Sequence, residues 1–481
     1  MRNKFYITTT LPYVNSTPHI GFAMEIIQAD VLARFHRELG EEVFFNTGAD
    51  EHGTKILEKA QEKGMTPQEY ADSVVGEFQN LKSLLNLSFD NFIRTTDEHH
   101  VKAAQEFWRI CDKNDFIYKK KYKVKYCTGC EMEKTDSELE KGCCPLHPDK
   151  ELEIIEEENY FFKYSEFQEK LLKLYKDKPE LVVPAKRFNE IKAFVERGLN
   201  DFSISRLKEK MPWGVPVPGD ETQVMYVWFD ALVNYISAIG WPEDSEKFNS
   251  FHPAVQICGK DNLRPQSGMW QAMLMAAGIK NSDRIYVNGF INVDGQKMSK
   301  SLGNVISPKE MVEKFGVDGT RYLLLTSGVF GEDWDVSWEK FTEKYNADLA
   351  NGLGNLTSRV IKLAENFQFP ISLAMPDLAK PDNFQTIFND EIIKLFDGLN
   401  LSSALDEIWK IIREDDKYID ENKPWELKKN NPEKFKEVIE KLLKDVALIS
   451  EMLKPFLPET SEKIKRALEN REIKPLFQRI K

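Results

Sequence analysis

No apolar stretch in this sequence approaches the roughly 20 residues that span a bilayer, and the start, Met1-Arg2-Asn3-Lys4, lacks the apolar core and cleavage site of a secretory signal. Membrane-spanning and exported classes are set aside, and a cytoplasmic location is expected. Cysteine is scarce, 6 in 481 residues, which excludes a disulfide scaffold. Four of the six fall between positions 127 and 144, and that clustering points to metal. Internal repeats and low-complexity tracts are missing too. Basic residues are outnumbered, 66 against 78 acidic, for a net charge of −12. That deficit does not exclude nucleic acid, because binding depends on a local basic face.

What is present is a balance of 41% hydrophobic and 30% charged residues, which supports packed cores under a solvated surface. At roughly 150 residues per domain, the length suggests about three. Residues 4–10 (KFYITTT) and 42–47 (EVFFNT) read as strands on either side of a helix from Ile20 to Leu39, whose apolar positions include Ile26, Ile27, Leu32 and Phe35. Strand-helix-strand patterning resumes at 254–258 (AVQIC), 266–277 (QSGMWQAMLMAA) and 285–288 (IYVN).

Between these halves, 119–158 is rich in Cys, Lys and Glu without a regular period, and 211–219 (MPWGVPVPG) is a proline-rich return. From 346 onward long amphipathic helices follow, at 386–412 and 433–454, with turns at Pro376, Pro381, Pro424 and Pro432. The expected fold is α/β, a Rossmann-type parallel sheet split by a metal-knuckle insertion and followed by a C-terminal α-helical bundle. The expected divisions are 1–115 and 225–290 for the two halves of the sheet domain, 116–224 for the insertion, 291–345 for a connecting region and 346–481 for the bundle.

Two motifs carry phosphate chemistry. Residues 11–22 (LPYVNSTPHIGF) form a polar loop before a helix, with His19 and Gly21 at the junction; a helix N-terminus offers free N–H donors to phosphate, and glycine lets a flat base approach the backbone. Residues 297–301 (KMSKS) follow the turn dipeptide Asp294-Gly295, so Lys297 and Lys300 sit on a loop able to close on a triphosphate. When a carboxylate attacks an α-phosphate, charge builds on the phosphate oxygens and the departing pyrophosphate, and aimed ammonium groups lower that barrier.

The cysteine cluster reads Cys127-x2-Cys130 and Cys144-Pro-Leu-His147, three thiolates and one imidazole in two tight pairs, a set suited to tetrahedral zinc. Four protein ligands leave no open position, so such a site is structural. Cys143 could stand in for Cys144, and Cys127 with Cys130 could instead form a redox pair. Cys111 and Cys258 read as buried apolar residues.

The two phosphate motifs, on opposite halves of a split sheet, resemble class I aminoacyl-tRNA synthetases. TTTLPYVN, TGADEHG, MYVWFDALVNY, CGKDNLR and NGFINVDGQKMSKS are similar to methionyl-tRNA synthetases of the single zinc-knuckle type, over nearly the whole chain. The resemblance implies a methionine pocket at Leu11, Tyr13, Asp50, Trp228, Ala231, Leu232, Tyr235 and Gln266, with Asp50 facing the substrate ammonium and the aromatics lining a thioether slot. It implies nucleotide contacts at His19, Gly21, Phe22, Lys260, Asp261, Lys297 and Lys300, and it favours Cys144 over Cys143 in the knuckle. His52 would help shape the site. Asn355, Arg359 and Trp425 would meet the anticodon, Trp425 by stacking on an unpaired base.

The implied reaction forms methionyl-adenylate from ATP and methionine, with Mg2+ accompanying the ATP, and then charges tRNA(Met); a monomer is expected. The chain departs from the family pattern at Phe22, where a second histidine is usual, a loss of about 1 kcal/mol if one hydrogen bond goes. Gln266 stands where many relatives have histidine and Leu232 where others have proline. A synthetase for leucine, isoleucine or valine would need a larger insertion, and a non-catalytic tRNA-binding protein would not need to keep Lys297 and Lys300.

Overall fold

Six parallel strands form the central sheet in the order Asn91–Arg94, Glu42–Ala49, Lys4–Thr9, Val255–Gly259, Arg284–Asn288, Val182–Val183. The computed structural model describes residues 4–129, 132–134, 139–140, 142–298, 303–365, 387–470, 472 and 474–481. Cys130, Lys300, Pro376 and Pro381 lie outside them.

The expected α/β sheet is present, and its strands are buried on both faces, as parallel strands covered by helices require: Ile7, Phe45, Ile257, Ile285 and Val287 are all fully buried. The sequence order reverses between Lys4–Thr9 and Val255–Gly259, joined in the register Ile7↔Val255. Ligands bind outside the carboxyl ends of strands at such a switch point. Val182–Val183, inside the stretch assigned to the insertion, adds the sixth strand by pairing with Ile285 and Tyr286. Two residues are too short a run for periodicity to reveal.

The helix Ile20–Glu38 leaves the switch point and is buried along most of its length, including Glu25, Gln28 and Asp30. The knuckle region, aperiodic in sequence, is a long antiparallel ribbon of Ile117–Cys127 against Glu153–Phe162. Its regularity lies in cross-strand charge rather than in alternating apolar residues: the lysine-rich strand faces the glutamate-rich one, with Lys123 Nζ 3.3 Å from Glu156.

The C-terminal helices include Asp390–Asp397, Leu401–Asn422, Pro432–Leu453 and Pro458–Asn470. The single helix expected over 386–412 is broken at Gly398–Asn400, where Leu399 takes a left-handed φ of 54°. The apolar period runs on through the break and hides it. Arg321, fully buried, ties these helices to the sheet domain: it pairs with Asp30 at 2.8 Å and donates to the Phe456 and Leu85 carbonyls at 2.7 and 3.1 Å. Among the described residues, no helix is long and apolar enough to cross a membrane.

Candidate active site

The chain leaving the first strand is stitched across the switch point. The Thr10 N–H donates to the Ile257 carbonyl at 3.1 Å and to Glu25 Oε1 at 2.7 Å. Two residues on, Pro12 O accepts from the Asp50 N–H at 3.0 Å and the Val14 N–H donates to Asp50 O at 3.2 Å. These backbone bonds put Leu11, Tyr13 and Asp50 side by side, with Asp50 only 4% exposed. Leu11 packs with Ile93 and Ala238.

The far wall comes from the second half of the sheet. Tyr13 and Val227 both lie within 4.0 Å of where a Gly53 side chain would begin, and Val227 opens the helix that carries Trp228, Ala231 and Leu232. Trp228 and Ala231 are half-buried; Leu232 and Tyr235 are buried, the latter with its ring 5.9 Å from Trp270. Gln266 sits in a π-helical turn, Pro265–Met269, a local widening frequent at functional sites, and its Nε2 donates to Thr10 Oγ1 at 3.2 Å. Its buried Oε1 has no hydrogen-bond partner among the described residues.

The two phosphate motifs also converge. His19 caps the helix, its Nδ1 accepting from the Gly21 N–H at 3.0 Å. A Cβ on Gly21 would fall 2.8 Å from the His19 ring and 3.9 Å from Met298 Cε, so a side chain here would displace the capping ring, and the KMSKS segment lies against the first motif. Burial holds the His19 pKa below its usual value, opposed by the nearby Asp261 carboxylate. Lys260 and Lys297 both stand over the Phe290 ring, at 4.1 and 5.1 Å, and Lys260 also pairs with Asp333 at 2.5 Å. Asp294 and Gly295 form the turn with positive φ, 52° and 75°, that brings Lys297 back. Phe22 is 8% exposed, and its ring packs edge-on against Phe78 at 5.8 Å.

Three supporting groups escaped the sequence reading. Asp230, fully buried, accepts from His52 Nδ1 at 2.7 Å and His100 Nε2 at 3.0 Å, while His100 Nδ1 meets Ser237 Oγ at 2.9 Å. Burial works against the Asp230 charge, but His52 and His100 hold its pKa below the usual range. Trp213 closes over His52, with Nε1 donating to the Glu51 carbonyl at 2.5 Å. Glu25 is the third: burial pushes its carboxyl up to about 8 against the pull of the Thr10 N–H. Asp230 lies inside the MYVWFDALVNY stretch, whereas His100 and Glu25 carry no local signal.

In the knuckle, the ligand atoms of Cys127, Cys144 and His147 lie within 4.8 Å of one another, a cluster that can hold a metal ion. The turn is closed by the His147 N–H donating to Cys144 O at 3.0 Å, and a side chain at Gly129 would strike the His147 ring at 2.3 Å. Burial, then Lys297 and Lys55, holds the imidazole pKa below its usual value, the direction that favours a metal ligand. Buried Cys144 joins the cluster, whereas half-buried Cys143 pairs its backbone with Glu140.

In the helical region Asn355 is exposed one turn before Arg359, which bridges Asp416 at 3.0 Å and Asp420 at 2.8 Å. Trp425 is 49% exposed at the start of the helix Pro424–Asn430.

Residues 5–152 and 147–361 match the family model for class I tRNA synthetases (M), and 390–477 match the anticodon binding domain of methionyl tRNA ligase. The chain belongs to the methionyl-tRNA synthetases. It is 42% identical to the methionine–tRNA ligase of Thermotoga maritima, over 96% of this chain and 75% of that one. To the ligase of Brucella suis it is 40% identical, over 96% and 91%. The Mycobacterium tuberculosis methionyl-tRNA synthetase in complex with methionyl-adenylate superposes with a TM-score of 0.88 at 35% identity, over 96% of this chain and 93% of that one. Its apo form superposes with a TM-score of 0.82 at 30% identity, over 100% and 99%. The chain is thus an aminoacyl-tRNA synthetase that activates methionine and charges tRNA.

Proposed function

We propose that methionine sits among Leu11, Tyr13, Asp50, Trp228, Ala231, Leu232, Tyr235 and Gln266, its ammonium facing Asp50 and its thioether the aromatic rings. ATP lies along His19, Gly21, Lys260 and Asp261, and Lys297 with Lys300 meets the charge that develops as the methionine carboxylate displaces pyrophosphate. Magnesium accompanies the ATP and neutralises phosphate charge. A hydroxyl of the terminal adenosine of tRNA(Met) then attacks the methionyl carbonyl, while Asn355, Arg359 and Trp425 engage the anticodon. The observation that carries this reading is the meeting of Gly21 with Met298, which brings two motifs distant in sequence to one switch point beside a buried carboxylate, Asp50.

The donor set Cys127, Cys130, Cys144 and His147 favours one structural Zn2+. The domain divisions are 1–115 with 225–290, 116–224, 291–345 and 346–481, in a cytoplasmic monomer. ATP–pyrophosphate exchange with each of twenty amino acids tests the assignment: exchange with methionine alone is expected, and Lys300→Ala should slow it by on the order of 10^2-fold. Metal analysis should find about one zinc per chain; removing it should open the Ile117–Cys127 and Glu153–Phe162 ribbon to proteolysis.

A further inference from the structure

The helix that carries Gln266 departs from α geometry at that residue. Across Pro265–Met269 the Trp270 N–H donates five residues back, to Pro265 O, instead of four residues back to Gln266 O. A π turn holds one residue more than an α turn, so its carbonyls open outward to donors from elsewhere, and buried ones need them. Two side chains supply the donors. Gln271 Nε2 reaches Gln266 O at 2.9 Å, and the Tyr175 hydroxyl donates to Ser267 O at 2.8 Å.

Tyr175 comes from outside the turn. It lies on the helix Gln168–Asp177, 92 positions from Ser267 in sequence, and is 1% exposed. Tyr164 meets the next residue of the turn: a Cβ on Gly268 would fall 2.4 Å from the Tyr164 hydroxyl oxygen, so a side chain there would push the two segments apart. What the turn places belongs to the amino-acid pocket. Gln266 is buried with Nε2 on Thr10 Oγ1 at 3.2 Å, and Trp270, directly after the turn, sets its ring 5.9 Å from Tyr235. Closing the turn to α would remove one residue of register, a rotation of about 100° about the helix axis. Gln266 and Trp270 could not then both keep their partners.

We propose that Tyr175 is a positioning residue for amino-acid activation: by bonding Ser267 O it holds the π register that keeps Gln266 at the methionine site, on the reading that Gln266 lines that pocket. Tyr175 acts through the turn and not on the substrate.

The test is ATP–pyrophosphate exchange by the full chain carrying Tyr175→Phe, Gln266→Ala or both. Tyr175→Phe keeps the ring, which packs against Phe188 at 5.8 Å, and removes only the donor. Its KM for methionine should rise on the order of tenfold, the scale of a buried carbonyl left without its partner, while KM for ATP stays within about twofold. Gln266→Ala should raise the methionine KM as well. Adding Tyr175→Phe to it should then change that KM by no more than about twofold, because both substitutions act through one contact. A lower Tm with an unchanged methionine KM would make Tyr175 a structural residue only and overturn the proposal. So would equal rises for both substrates, or two effects that multiply in the double variant. A wild-type methionine KM in Gln266→Ala would instead strike the pocket assignment, and with it the route by which Tyr175 acts.

Discussion

Asp230 and His52 are 178 positions apart in sequence and joined by a hydrogen bond of 2.7 Å, with His100 on the other carboxylate oxygen at 3.0 Å. One buried charge thus ties the segment after the second strand, the helix Glu98–Lys113 and the helix carrying Trp228. Asp230→Asn leaves a single acceptor for two ring N–H groups and should cost on the order of 2–4 kcal/mol in denaturant unfolding. Because Trp228 rides on the same helix, the KM for methionine in exchange should rise with it. An unchanged unfolding midpoint would show that the pairing holds nothing together.

Glu25 makes stability depend on pH. Its folded pKa of about 8 lies above the unfolded 4.5, so the stability from its neutral form is complete below pH 4.5 and is lost as pH rises through 8. Glu25→Gln keeps the shape and does not titrate. The difference in Tm, wild type minus variant, should therefore fall between pH 5 and about 8 and level off above. A difference independent of pH would refute the buried neutral carboxyl.

Restoring histidine at Phe22 should not improve ATP use. The ring lies in the core against Phe78, so Phe22→His exchanges an edge-on aromatic contact for a buried imidazole and should cost about 1–3 kcal/mol. Thermal unfolding and the KM for ATP separate the two effects. A tighter ATP KM at unchanged stability would return this position to the nucleotide site.

Trp425 is half exposed, so its ring contributes little to folding. Trp425→Ala should leave stability within about 0.5 kcal/mol and exchange unaltered, while charging loses about 1–3 kcal/mol of tRNA binding, seen as a higher KM for tRNA. A large drop in stability would make the residue part of the bundle's core.

Legibility in the sequence followed the range of the physics. The strands at Lys4–Thr9 and Val255–Gly259, the helix Ile20–Glu38 and the Asp294-Gly295 turn were readable because alternation, helical period and turn propensity act over a few residues. Val182–Val183 was not, since a two-residue edge strand exists only by pairing with a distant neighbour. The ribbon of the knuckle was hidden because its order lies between strands, lysine against glutamate, and not along either one.

By itself, then, the sequence determined the α/β pattern, the spacing of the thiolates and imidazole in the knuckle, the two phosphate motifs and the family to which they belong. Those are properties of neighbours along the chain. Only the tertiary structure decided that Phe22 turns into the core, that Arg359 rests between Asp416 and Asp420, and that Glu25 and His100 stand behind the site. Each of these depends on which distant groups exclude water around a side chain or supply its charge, and no local spacing encodes that.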